Sequence, residues 1–214
     1  MVSRQHSFLD QAVIHADRAL RTILGEPQGS GRPDPARALP ESKFTATGKA
    51  RSLNLMRVNH AGEVCAQALY QGQALTARRI ETRRQMEQAA QEENDHLVWC
   101  RQRIHELGGQ TSLLNPLWYG GSLAIGAFSG LLGDKWSLGF LAETEHQVVR
   151  HLEGHLQRLP EGDDRSRAIL EQMKIDEGEH RTSALDAGGT ELPGPVKRMM
   201  NLASRVMTAT AYRI

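Results

Sequence analysis

The sequence predicts an all-α chain built as a helical bundle. Three observations carry this. Apolar residues recur at helical spacing through most of the 214 residues, no segment alternates convincingly with period two, and glycine- and proline-rich breaks fall between long helical stretches. A chain of this length can bury a substantial core in one domain that carries an appendage.

Phe8, Leu9, Ala12, Val13, Ala16, Ala19, Leu20, Ile23 and Leu24 define one face of an amphipathic helix over residues 4–24, which Gly25 stops. Pro27, Pro33, Pro35 and Pro40 then make residues 26–42 a linker without structure of its own, a tether. The expected organisation is therefore residues 1–50 as helix and linker, and 51–214 as the main domain. From Leu53 to Leu107 the chain lacks proline and is too long for one globular helix, which predicts two helices with a turn between Thr76 and Arg84. A helix over 135–159 meets the PEGDD breaker at Pro160–Asp164, and another follows over 163–185. Asp186–Pro195 ends it, and Val196, Met199, Met200, Ala203, Val206 and Met207 mark one face of a last helix.

Leu107–Gly133 carries no charge and is long enough to span a bilayer, which needs roughly 20 apolar residues. Its seven glycines with Asn115 and Pro116 argue against a span. Two readings remain: a crossover that caps the bundle, or a membrane-dipping apolar entry to a site.

Composition removes several functions. With 26 basic and 25 acidic residues the net charge is +1, so no global field favours nucleic acid. Cys65 and Cys100 are too few and too distant for a disulfide framework or a thiolate metal site, and read as buried thiols. The N-terminus lacks a secretory layout, so a reducing cytoplasmic compartment is expected.

The chemistry is carried by a step that occurs twice. QEENDHL places Glu93 three residues before His96, and IDEGEHR places Glu177 three residues before His180. Residues three apart share a helix face, so each pair can offer an oxygen and a nitrogen to one ion. Two-metal carboxylate bundles combine two such pairs with one glutamate from each of two further helices. Ligands facing each other across an antiparallel pair lie equally far from the connecting turn. That condition selects Glu145 for Glu177, about the Pro160–Gly162 breaker, and Glu63 for Glu93, about the weaker turn.

Helical faces exclude the neighbouring acids. Glu145 shares a stripe with Val148, Val149 and Leu152, Glu93 with Met86, Ala89, Leu97 and Cys100, and Glu177 with Leu170, Met173 and Ala184. Glu143 and Glu92 fall on polar stripes, that of Glu92 running through Gln85, Gln88, Asp95 and Arg103, and are expected on the wet side. Asn59, His60, Gln67 and Tyr70 surround the face of Glu63 as candidates to orient ligands, and His151 is a weaker candidate for the same role. The HLEGH stretch lacks the glutamate directly after its first histidine that a zinc-protease helix needs. Four carboxylates and two imidazoles suit a pair of divalent iron or manganese ions. Without metal the cluster would hold like charges in a core and raise carboxyl pKa values.

The string RVNHAGEVCAQALYQGQ at Arg57–Gln73 resembles the demethoxyubiquinone hydroxylase family of ubiquinone biosynthesis. The similarity continues through QEENDHL, NPLWYGGSLAIGAFSGLLG, ETEHQVVRHLEGHL and IDEGEH, from Arg57 to the C-terminus. The resemblance implies a ferritin-like four-helix bundle, to which the residue pattern adds extra N-terminal, crossover and C-terminal interfacial helices; the first fifty residues contribute nothing to the resemblance. It implies two iron ions, dioxygen and reduced nicotinamide as co-substrates, and hydroxylation of a polyprenyl demethoxy-benzoquinone ring. Carried over by position, Glu63, Glu93 and His96 would bind one iron and Glu145, Glu177 and His180 the other, with Glu93 and Glu177 bridging. No catalytic residue beyond the metal centre is implied.

A polyprenyl substrate lives in the membrane, so a peripheral position on the cytoplasmic face of the cell membrane is expected. The apolar Leu113–Leu132 stretch and the last helix, with Lys197, Arg198 and Arg205 beside its apolar face, would lie against lipid. A second copy of the chain, or ubiquinone-biosynthesis partner proteins, could complete the assembly. Two alternatives stand beside this reading: a ferroxidase or manganese peroxide-handling bundle, and a metal-free lipid-binding accessory protein.

Overall fold

The computed structural model describes residues 8–24, 27–41 and 43–214, except for some side chains in the first helix. Seven helices and no strand occur among these residues: α1 Phe8–Ile23, α2 Ala46–Thr76, α3 Ile80–Glu106, α4 Asn115–Leu131, α5 Asp134–Arg158, α6 Asp164–Asp186 and α7 Gly194–Ala211. The expected start of the first helix at residue 4 and its stop at Gly25 lie outside the described residues, as do the side chains of Phe8, Leu9 and Ala12.

Local chemistry sets the boundaries. Thr45 caps α2 by accepting from Gly48 N at 3.1 Å, and Asp163 caps α6 by accepting from Ser166 N at 3.2 Å. The weakly marked turn after α2 is only Ala77–Arg79 long. It is fixed from a distance: Asp134, at the start of α5, accepts from Arg78 N and Arg79 N, both at 2.9 Å. That contact also brings the chain back from the far end of α3, so α5 runs alongside α3's direction and α6 returns beside it.

The return is made by α4, which runs parallel to α2 and packs along its length. Glycine makes the approach possible. A Cβ at Gly72 would collide with the Leu123 carbonyl, and one at Gly126 with the Leu69 carbonyl. Thr76 Oγ1, near Gly130, donates to Ala127 O at 3.1 Å. The apolar segment is thus a crossover lying lengthwise on the bundle, and no helix among the described residues is long and apolar enough to cross a membrane. Its outer face remains open, with Leu117 and Phe128 each 63% exposed.

Two apolar plugs fill the four-helix interior. One joins Leu55, Met56, Trp99, Cys100, Leu152 and Leu170, the other Tyr70, Met86, Ala90, Leu138, Leu141 and Ala184. Each fully buried large aliphatic side chain contributes about 1.5–3 kcal/mol. Between the plugs, at the same depth on all four helices, lie the acids and histidines.

The proline-rich stretch departs from its expectation as a free tether. Its described residues form no helix or strand, yet Ala36 is wholly buried, Ser30 and Arg32 bond to α3 and α6, and Glu41 pairs with Arg103 at 2.7 Å. Proline and glycine remove regular hydrogen bonding, but side-chain partners elsewhere can still hold such a segment in place.

Candidate metal centre

Each bundle helix presents its acid where the local stripe turns inward. Glu63 comes from α2, Glu93 and His96 from α3, Glu145 from α5, and Glu177 and His180 from α6. All four glutamates and His96 are buried, and the His180 side chain is 9% exposed. The structure therefore brings together the six side chains singled out in the sequence, with Glu63, Glu93, His96 and Glu177 offering donor atoms within 4.8 Å of one another.

Both imidazoles turn Nδ1 toward the centre. His96 Nδ1 lies 3.1 Å from Glu93 Oε2 and 3.3 Å from Glu177 Oε1, and His180 Nδ1 lies 3.3 Å from Glu93 Oε1 and 3.3 Å from Glu177 Oε2. Glu93 and Glu177 each face one oxygen toward each histidine, which is the disposition of a bridging carboxylate. Glu63 sits on the His96 side, its Oε2 3.5 Å from Nδ1. Glu145 sits on the other side and accepts from Tyr70 Oη at 2.5 Å.

The outer nitrogens are held by acids from neighbouring helices. His96 Nε2 is 2.8 Å from Asp176 Oδ2, and His180 Nε2 is 2.7 Å from Glu92 Oε2. Such a carboxylate fixes the tautomer and orientation of a metal-ligating imidazole. Asp176 was not singled out in the sequence, because it precedes Glu177 and a local pattern cannot tell which helix it faces. Glu92 corrects the expectation of a wet stripe. Asp95 and Arg103 on that stripe are buried, covered by residues 30–41 and by α6, and Glu92 itself is 35% exposed.

Of the proposed orienting residues, Tyr70 reaches the centre; Asn59, His60, Gln67 and His151 do not bond to any of the six. Asn59 Oδ1 meets His155 Nδ1 at 2.8 Å, Gln67 donates to Asn94 at 2.9 Å, and the His151 and His155 rings stack edgewise with centroids 3.9 Å apart. Burial pushes His60 down to about 3, His151 to about 4 and His155 to about 2, so these three stay neutral. Cys100 is buried with Sγ 3.7 Å from Met173 Sδ, while Cys65 is partly exposed; both are free thiols.

The electrostatics of the centre run the other way for its histidines. Burial pushes Glu63 and Glu145 well above the carboxylate range, reinforced by the charges of Glu93 and Glu177 respectively. Burial also opposes charge on Glu93, but the His96 charge, the bond to His96 and the nearby His180 imidazole hold it well below its ordinary value. For His180, burial is outweighed by the bond to Glu177 and the nearby Glu93 carboxylate, which raise it to about 12, and His96 is raised well above 6.5 by Glu93 and Asp176. Even so, Glu63 Oε2, Glu93 Oε1 and Glu145 Oε2 are buried and accept no hydrogen bond. A buried oxygen without a partner is costly. Hard oxygens and two nitrogens facing one small space fit a pair of divalent iron or manganese ions.

Comparison with known proteins gives the chain a family. Residues 50–211 match the family model described as ubiquinone biosynthesis protein COQ7. The chain is 59% identical over 214 residues to a protein of Nitrosococcus oceani, covering 100% of both chains. It is 61% identical over 204 residues to one of Nitrosospira multiformis, covering 95% of this chain and 98% of that one. With one of Azotobacter vinelandii it shares 58% over 212 residues, covering 99% and 98%. All three are named 3-demethoxyubiquinol 3-hydroxylase. Among solved structures, the bacterioferritin-related protein from Bacteroides fragilis, a dodecameric thioferritin, aligns with a TM-score of 0.54 at 19% identity, over 63% of this chain and 82% of that one. That likeness shows the fold, a ferritin-like all-α bundle. On the family match and the full-length relatives together, this chain belongs to the COQ7 family of ubiquinone biosynthesis proteins.

Proposed function

We propose that the protein hydroxylates the ring of a polyprenyl demethoxy-benzoquinol in ubiquinone biosynthesis, with two iron ions held by Glu63, Glu93 and His96 on one side and Glu145, Glu177 and His180 on the other. The observation that carries this reading is the pairing of Glu93 and Glu177, each with one oxygen toward each histidine. The relatives' shared name, 3-demethoxyubiquinol 3-hydroxylase, supplies the substrate class. One atom of dioxygen goes to the ring carbon and the other to water, and two electrons come ultimately from reduced nicotinamide. The iron pair supplies the means of reducing dioxygen beside the substrate.

The chain's own groups prepare that chemistry. Asp176 and Glu92 turn both Nδ1 atoms inward, and Tyr70 holds a proton on Glu145 Oε1, within reach as charge at the centre changes. The apolar plugs above and below close the two ends of the site to water.

The same reading takes the protein to a membrane surface, peripheral and on the cytoplasmic face, where its substrate resides. The open apolar face of α4 supports it, as do Met199, Leu202 and Val206 on α7, all more than half exposed. Trp118 and Met207 join both helices in one cluster with Val58 and Ala61 of α2, so α7 docks on the bundle at one end and leaves its apolar side free. Lys197 is engaged with Glu191 at 2.9 Å and Glu143 at 3.5 Å, leaving Arg198 and Arg205 as the lipid-facing cations of this reading.

The test is direct. Purified protein should bind two irons per chain and, once reduced, convert a demethoxyquinol analogue to its hydroxylated product with dioxygen, while cells lacking the protein accumulate the demethoxy quinone. Normal ubiquinone in such cells would remove the assignment.

A further inference from the structure

The two halves of the centre repeat one sequence step, yet their supports differ. On the His96 side, Asp176 receives the Arg32 guanidinium through both carboxylate oxygens, Nη2 lying 3.0 Å from Oδ1 and 2.8 Å from Oδ2, and Gln172 Nε2 at 2.8 Å. The guanidinium carbon is 5.2 Å from the Trp99 ring centre, and that ring is 5.5 Å from the His96 ring. Ser30, two residues earlier, donates its backbone N at 2.7 Å and its hydroxyl at 2.5 Å to Asp95 of α3. Gly31 between them has φ +93°, a conformation other residues rarely adopt, which lets the two anchors diverge toward α3 and α6.

The His180 side has no comparable brace. Among the described residues Glu92 receives, besides His180, only Gln88 Nε2, at 3.1 Å, from its own helix, although both supports border one cavity of about 400 Å³, lined by Glu92 and His180 as well as by Arg32 and Asp176. The His96 side chain is wholly buried, and its three carboxylate partners are already gathered around Nδ1. Glu145 instead points an oxygen at Tyr70.

We propose that Arg32 is a positioning residue that makes the two metal positions unequal: it locks Asp176, Asp176 locks the His96 ring, and the His96 position binds its ion first and more tightly. Arg32 lies ahead of residues 50–211 that match the family model, so a segment outside the bundle sets the order of loading within it. The proposal rests on the six side chains being metal ligands. A donor set that is already oriented loses less freedom on binding, so it binds more tightly with the same atoms.

The test is an anaerobic titration of full-length, metal-depleted protein with Fe(II), followed by Mössbauer spectroscopy at one and two equivalents. Wild type should bind in two resolved steps with two spectroscopically distinct irons. Arg32→Gln should weaken the first step by roughly 10–100-fold, as loss of a ligand's supporting partner does, and shift one signal only. Arg32→Lys, which keeps one cationic nitrogen for Asp176 without the planar guanidinium beside Trp99, should recover part of the first step. Glu92→Gln should move the second step and leave the first. Wild type and Arg32→Gln binding two irons with the same steps and signals, or both steps falling together, would overturn the role of Arg32 alone. Wild type that binds no iron would overturn the metal reading and this proposal with it.

Discussion

Two clusters of charge are buried in this bundle, and they are finished differently. Around Arg103, Glu41 and Glu106 lie 2.7 and 3.1 Å from Nη1, Asp163 lies 3.0 Å from Nη2, and Ser166 accepts from Nε at 3.0 Å. This cluster contains a permanent cation, and it ties the Pro-rich segment, α3 and the α6 cap together. The centre between the apolar plugs has four carboxylates, no permanent cation, and three oxygens that accept no hydrogen bond. The first arrangement pairs its acids with a cation the protein supplies and leaves one oxygen, Asp163 Oδ2, without a hydrogen bond; the second gathers four acids around no such cation. The two clusters differ in where the balancing positive charge comes from: Arg103 in the first, and no permanent cation of the chain in the second.

The difference can be broken at either cluster. The largest effect is expected from Glu63→Gln: loss of iron and of hydroxylation, read by metal analysis and product assay, with metal-free protein at least as stable as the parent in chemical denaturation because burial and the Glu93 charge already disfavour the acid removed. Arg103→Met should do the reverse. It leaves Asp163 buried without its partner and costs about 3–5 kcal/mol of stability. At a temperature where it remains folded, its iron content should be unchanged. Equal stability losses for the two variants in metal-free form would erase the distinction.

Tyr70→Phe sharpens the comparison within the centre. It removes the Tyr70 hydrogen bond to the Glu145 side chain without altering any of the six side chains themselves. Turnover or iron affinity should fall by roughly 10–100-fold, the usual cost of losing such a partner, with little change in melting temperature.

A smaller effect separates the two kinds of buried histidine. His60, His151 and His155 are neutral when folded, with values depressed to about 3, 4 and 2, whereas the unfolded chain binds protons below about 6.5. The unfolded state therefore takes up more protons as pH falls, so the stability is fully present above 6.5 and is lost below it. The loss is at most about 1.4 kcal/mol per pH unit per histidine. Glu63, Glu145, His96 and His180 of the metal centre titrate with the opposite sign and are common to both proteins, so the test is a difference: from pH 7 to pH 5 the denaturation midpoint of metal-free His155→Gln should gain on that of metal-free wild type. The smallest effect is at the surface: Phe128→Ser with Leu131→Ser should leave turnover of a short-tailed soluble analogue intact and weaken binding to liposomes in a flotation assay.

Helical periodicity alone marked the bundle because it is a local property, written at every third and fourth residue. Glu177 and Glu145 were legible for the same reason, since a strong breaker at Pro160–Gly162 sets the register between two regular rods. The short link at Ala77–Arg79 was blurred because Asp134, more than fifty residues on, supplies its hydrogen bonds. Glu92 was misjudged from its stripe, which looks solvated until the segment around Ser30 and Arg32 is laid across it.

By itself, then, the sequence determined the helices, the inward face of each and the depth at which six donor side chains meet, because these depend on spacing along a rigid repeat. Tertiary structure alone decided that α4 lies along α2, that Asp176 and Glu92 hold the outer nitrogens, and that Arg32 braces only one of the two histidines. Those contacts join residues up to 144 positions apart, and no periodicity in either partner encodes them.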